Sequence, residues 1–114
     1  MNRDTWTKAK KIVADRDKCC LRCFAEIQVV HHRRVRGLGG SSDPEINTGL
    51  ANLVGLCDQC HREVHASPEE SYETGFLVRM GMSPENIPLL VTPDFTVFLD
   101  NDGKSEGFLQ GTLF

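Results

Sequence analysis

Four cysteines arranged as two C-x2-C pairs, Cys20 with Cys23 and Cys57 with Cys60, limit what this chain can become more than any other feature. Two such knuckles bring four thiols to the corners of a tetrahedron, the arrangement that a structural zinc ion requires. The fold must therefore carry residues from the first quarter of the chain and from its middle to one point. Cys19 is a feasible alternative to Cys20, because Cys19-x3-Cys23 also spans a knuckle, but the two-residue spacing is the tighter one. At 114 residues there is room for one domain of ordinary size. A chain this short buries only about two-thirds of its unfolded surface, so a metal staple is in keeping with its size. No stretch approaches the roughly 20 apolar residues of a membrane span, and the N-terminus reads as a charged helix rather than a signal peptide. Zinc-type cysteine usage together with these absences leads to the expectation of a cytoplasmic protein without a membrane partner.

The four histidines also fall in pairs, His31-His32 and His61-x3-His65. Residues four apart on a helix share a face, so His61 and His65 can chelate one divalent ion. Cys60 and His61 lie about 100° apart around the same helix, which separates the thiolate from the imidazoles. Two metal sites are expected, one closed and structural, one with an open position that still needs a third protein ligand. The first pair supplies that ligand and leaves a second imidazole able to act as a base near neutral pH. Neighbours on a strand point to opposite faces, and the residues alone permit either assignment.

Residues 4–15 read as a helix with Trp6, Ala9, Ile12 and Val13 on one stripe. Strands are expected at residues 27–32 and 52–56, separated by a Gly-rich polar loop, and Asp58 opens a short helix through His61 and His65. After Pro68 a helix within residues 69–80, with Tyr72, Phe76 and Leu77 on one face, precedes a hairpin of residues 88–92 and 95–99. The tail beyond Gly103 is expected to be poorly ordered. Charge divides unevenly along this chain. Ten of the thirteen Lys and Arg, but four of the sixteen Asp and Glu, lie in the first 36 residues, a surplus of six positive charges facing nine net negative ones in the remainder. That asymmetry suits an N-terminal half that meets a polyanion.

Cys20-x2-Cys23, His31-His32-Arg33, Gly39-Gly40, Asn52-Leu53 and Leu56-Cys57-x2-Cys60-His61-x3-His65 together resemble the zinc-knuckle subgroup of the HNH endonuclease family, common in phages and bacteria. The likeness runs over residues 6–68, and residues 71–79 look more weakly like an extension found in some members. It implies an α+β fold: a small ββα-metal, treble-clef-like core with an N-terminal helix, a structural four-cysteine zinc site and a C-terminal β-hairpin extension. The nuclease core would occupy residues 1–68 and the extension, packed on the same domain, residues 69–114. By the same resemblance His32 is the general base, Asn52 holds that base across the long loop, and His31, His61 and His65 bind the catalytic ion. Arg33, Arg34 and Arg36 stand beside the base, where guanidinium groups are expected to clamp DNA phosphates. The implied activity is hydrolysis of DNA with a structural zinc and a divalent Mg, Mn, Ni or Zn ion, and three imidazoles favour the softer of these. Family members of this kind assist phage genome packaging beside terminase, which makes packaging proteins an expected partner and host cytoplasm the expected location. The competing expectation is a non-catalytic, zinc-stabilised DNA-binding or adaptor module, which needs the cysteines but has no use for four clustered histidines.

Overall fold

The computed structural model describes residues 3–35 and 49–109. Helix α1, Arg3–Asp17, is rich in Ala and Lys and free of Gly and Pro, and it carries Asp4 in its first turn and Arg16 in its last, as its dipole favours. Lys18, in the left-handed region at φ 67°, ends it. Ala9 and Val13 are buried against Leu53, with Trp6, Val30 and Leu50 around them. Ile12 belonged to the same expected stripe but is 40% exposed, so the buried stripe is narrower than the sequence pattern. The helix end is bolted down by polar groups. The Asp17 carboxylate accepts from Arg16 Nε at 2.7 Å and from the Gly55 backbone N–H at 2.9 Å, while Arg16 also donates to the carbonyls of Leu50 and Leu53.

Strands β1, Val29–His32, and β2, Leu53–Leu56, pair antiparallel with His31 opposite Val54 and His32 opposite Leu53. All four residues of β2 are buried, because the hairpin is covered on both faces. Val30, His32, Leu53 and Gly55 look toward α1, and Val29, His31, Val54 and Leu56 look toward a larger core. The two-residue period of a strand thus sends the adjacent histidines to opposite sides. Helix α2, Asp58–Ala66, follows directly, with Cys57 as its N-cap.

Helix α3, Pro68–Thr74, begins with Pro at its first position and stops at Gly75. The expected helix over residues 69–80 is therefore corrected. Gly75 takes φ 85°, and Phe76, Leu77 and Val78 are buried in a non-helical segment beyond it. A Cβ at Gly75 would lie 1.9 Å from the Pro88 carbonyl oxygen, so neither the backbone angle nor the space admits a side chain. Gly75→Ala is expected to cost on the order of 3 kcal/mol or more, combining left-handed strain with a backbone clash. Urea denaturation checks this, and an unchanged midpoint contradicts it.

The C-terminal part is a three-stranded meander rather than a hairpin: β3, Leu89–Thr92, β4, Phe95–Leu99, and β5, Ser105–Leu109. β5 occupies the segment expected to be a loose tail. A tight turn builds it in, with the Asp100 carboxylate accepting from the N–H groups of Asp102 and Lys104, and Gly103 at φ 84°. Leu89, Val97 and Leu99 join Val54, Leu56, Val64, Phe76 and Cys60 in one cluster, so the extension and the knuckle region share a core. Each fully buried Leu contributes about 2 kcal/mol of transfer free energy. Among the described residues no helix is long and apolar enough to cross a membrane.

Candidate functional site

The sulfurs of Cys20, Cys23, Cys57 and Cys60 all lie within 4.8 Å of one another, close enough to hold one metal ion such as zinc. The Cys23 and Cys57 sulfurs are 3.7 Å apart. A tetrahedron with zinc–sulfur arms of about 2.3 Å has edges of about 3.8 Å, whereas a disulfide needs sulfurs about 2.05 Å apart. The thiols are thus spaced to share a cation. Local geometry explains how each arrives. The 20–23 turn is closed by Phe24 N–H to the Cys20 carbonyl, with Phe24 at φ 69°, and Cys57 caps α2 by accepting from the Cys60 N–H. That N–H lowers the Cys57 thiol to about 7, while burial pushes Cys60 up to about 12. The Arg22 guanidinium pairs with Glu63 and acts against the rise at Cys60, placing a positive charge near a thiolate set whose zinc complex would carry a net negative one. Cys19 is half-buried and stands outside the cluster.

A second group is made by His31, His61 and His65, whose ligand nitrogens also lie within 4.8 Å of one another. Ring centroids are 5.2 Å apart for His31 with each partner and 4.8 Å for His61 with His65, all edge-on. His61 and His65 come from one face of α2, and His31 reaches them from β1. His31 is 1% exposed, and its Nε2 lies 2.6 Å from the Phe76 carbonyl oxygen. A carbonyl only accepts, so Nε2 carries the proton and Nδ1 holds a lone pair. Burial lowers the pKa of His31 to about 3, against the pull of the Phe76 carbonyl, and burial followed by His65 lowers that of His61. Both rings are held in the neutral form that ligates metals. Among the described residues, His31 Nδ1 is buried with no hydrogen-bond partner. A buried lone pair beside two other imidazoles is what a ligand set presents, and a divalent cation fits it. His31 is buried, His61 half-buried and His65 exposed, so the group opens to solvent on one side.

His32 faces the other way, its ring stacked on Trp6 with centroids 5.3 Å apart and planes 16° from parallel. Asn52 is buried, and its side chain clasps the backbone of Arg34 across the loop, accepting from the N–H at 2.6 Å and donating to the carbonyl at 3.2 Å.

The assignment of Arg33 to DNA phosphates is corrected. It is 0% exposed, and its guanidinium donates to the carbonyls of Gly75, Ala51, Pro84 and Ile87. Burial lowers its pKa to about 9, still high enough to keep it charged at neutral pH. Arg34 stays at the surface, with Nη1 donating to the Met82 carbonyl at 3.2 Å, and Arg36 lies outside the described residues. With Arg16 also engaged internally, two of the cations that made the N-terminal half look basic are parts of the interior. The sequence did not reveal Phe76, whose contribution is a backbone carbonyl, nor Arg22 beside the thiols. Comparison with protein-family models, with curated proteins and with solved structures finds no match.

Proposed function

We propose that this chain is a metal-dependent endonuclease of HNH type that hydrolyses DNA phosphodiester bonds, with His31, His61 and His65 holding a divalent ion and His32 as general base. The observation that carries this reading is the partnerless Nδ1 of His31 beside His61 and His65. Three protein ligands with one side open is the pattern of a catalytic site, unlike the closed four-thiol set. A hairpin followed at once by a helix, with ligands from both, agrees with the core that the sequence resemblance implies.

The ion, when bound, supplies Lewis-acid stabilisation of the charge that develops on the phosphate and the leaving oxygen. The residues of the chain do the rest. His31 donates its Nε2 proton to the Phe76 carbonyl, which fixes the ring and keeps Nδ1 available. His32 accepts the proton of the attacking water at an imidazole nitrogen, with Trp6 holding its ring in plane. Asn52 pins the loop at Arg34, and Arg34 offers a cation to the phosphate backbone. The bond broken is that between phosphorus and O3′, leaving 5′-phosphate and 3′-hydroxyl ends. An imidazole set favours Mn, Ni or Zn over Mg.

Supercoiled plasmid incubated with the zinc-loaded chain and each of these four metals is the direct assay. Nicked or linear DNA with 5′-phosphate ends, abolished by chelator, is expected with the softer ions first. No cleavage with any metal, by a chain that holds one zinc, defeats the nuclease reading. That outcome would leave a non-catalytic, zinc-stabilised DNA-binding or adaptor module, for instance one acting beside a packaging terminase. One observation favours the module: His32 packs on Trp6, on the opposite side of β1 from the other three histidines. The module predicts DNA retention that weakens steeply with salt and no strand scission.

A further inference from the structure

We propose that Arg33 is the positioning residue of the histidine site, fixing the orientation and tautomer of His31 through the segment that contains Phe76; the inference rests on reading His31, His61 and His65 as an ion site. Arg33 is wholly buried, and among the described residues it has no carboxylate partner. Burying a cation without an anion is among the most costly choices a core can make, and an apolar side chain of similar volume would serve packing alone.

What Arg33 provides is directional grip. Nε donates to the Gly75 carbonyl at 2.8 Å, Nη1 to those of Ala51 at 2.9 Å and Pro84 at 3.1 Å, and Nη2 to that of Ile87 at 2.6 Å. Its own carbonyl accepts the N–H of Val78 at 2.8 Å. Arg33 therefore holds the chain on both sides of Phe76, at Gly75 and at Val78. Phe76 is the residue whose carbonyl takes the Nε2 proton of His31 at 2.6 Å. Arg33 also follows directly on β1, two positions beyond His31, so only a short stretch of chain separates the two residues. If that carbonyl drifts, His31 has no reason to keep its proton on Nε2, and the lone pair on Nδ1 is no longer reserved for an ion.

The test is made on the full zinc-loaded chain carrying Arg33→Lys or Arg33→Met. Long-range proton–nitrogen spectra report the tautomer of His31, and cobalt titration reports uptake by the imidazoles while the thiols keep their zinc. Both variants are expected to hold one zinc per chain and to melt cooperatively. His31 should change from a single Nε2-protonated form to a mixture, and cobalt affinity should fall about tenfold to a hundredfold, less for Lys than for Met. An unchanged tautomer with cobalt affinity within about twofold of wild type overturns the proposal. So does loss of the zinc and of the cooperative melt in both variants, which makes Arg33 a brace of the whole fold. A wild-type chain that takes up no cobalt, with a His31 tautomer that still depends on Arg33, refutes the ion site and leaves the positioning role standing.

Discussion

Cys20→Ser is expected to abolish the cooperative unfolding transition of this chain at ordinary temperatures, and strong chelation of the wild type should do the same. The thiols are not an appendage. Cys20, Cys57 and Cys60 belong to the same buried cluster as Val54, Leu56, Val64, Phe76 and Leu99. Cys57 also caps α2, the helix that presents His61 and His65. One ion there would tie the exit of α1 to the start of α2 across the hairpin. Structural zinc in small domains is worth about 10–16 kcal/mol of apparent binding free energy, against about 5–15 kcal/mol for the net stability of a whole domain. Even a fraction of that sum exceeds what a core of this size can spare. Without the metal, four thiols also crowd one another with Cys60 buried and protonated. Far-UV circular dichroism through a thermal ramp, with zinc content measured on the same sample, decides the matter. Wild type should keep zinc in its four-thiol set and recover its fold when zinc is returned after chelation. Cys19→Ser, outside the cluster, should melt within a few degrees of wild type. A Cys20→Ser chain that melts like the wild type, or a chelated one whose spectrum is unchanged, would sink the structural-metal claim.

What the sequence made legible is what local spacing controls. C-x2-C is a property of four consecutive residues, and His-x3-His follows from the helical repeat, so both groups could be anticipated before any tertiary contact was known. The assignment within His31-His32 could not be read from pattern. Both faces of the hairpin are covered, so Val29 and Val30 are equally apolar and give no alternation to tell one side from the other. Arg33 was misread for a related reason. Its partners are four backbone carbonyls distant in the chain, and a carbonyl leaves no mark in a sequence, whereas the neighbouring Arg34 and Arg36 advertise a basic surface. The same blindness hid Phe76, whose ring suggested a helix face while its carbonyl holds His31. In the C-terminal part, Phe76 and Leu77 fit a helical stripe, but Gly75 ends the helix in the left-handed region, at a place where a side chain would meet the Pro88 carbonyl. Ser105 to Leu109 carries too little hydrophobic alternation to announce a strand, and it becomes one because β4 offers an edge.

Substituting the histidines one at a time should separate them into two kinds, and this is the largest effect expected on activity. His61→Ala removes one of the three imidazoles that the proposed site gives to its ion. Affinity for the second ion should fall by about a hundredfold or more, and cleavage should be partly recovered by raising the metal concentration. His31→Ala should behave alike and also leave the Phe76 carbonyl without its donor, adding a cost of about 1–3 kcal/mol in stability for a buried unpaired acceptor. His32→Ala removes neither ligand nor buried hydrogen bond of the three-histidine group, because its ring lies against Trp6. It should bind the second ion as wild type does and yet nick plasmid about 10²–10⁴ times more slowly, the span that general-base catalysis supplies, with no recovery at high metal. Cobalt titration and initial nicking rates on the same preparations give both axes. If His32→Ala nicks at the wild-type rate with its second ion bound, water is activated by another group and the base is misassigned. If instead His32→Ala and His61→Ala are both rescued by added metal, His32 turns toward the ion in solution and acts as a fourth ligand, which would make the site a closed one and remove the chemical reason for calling it catalytic.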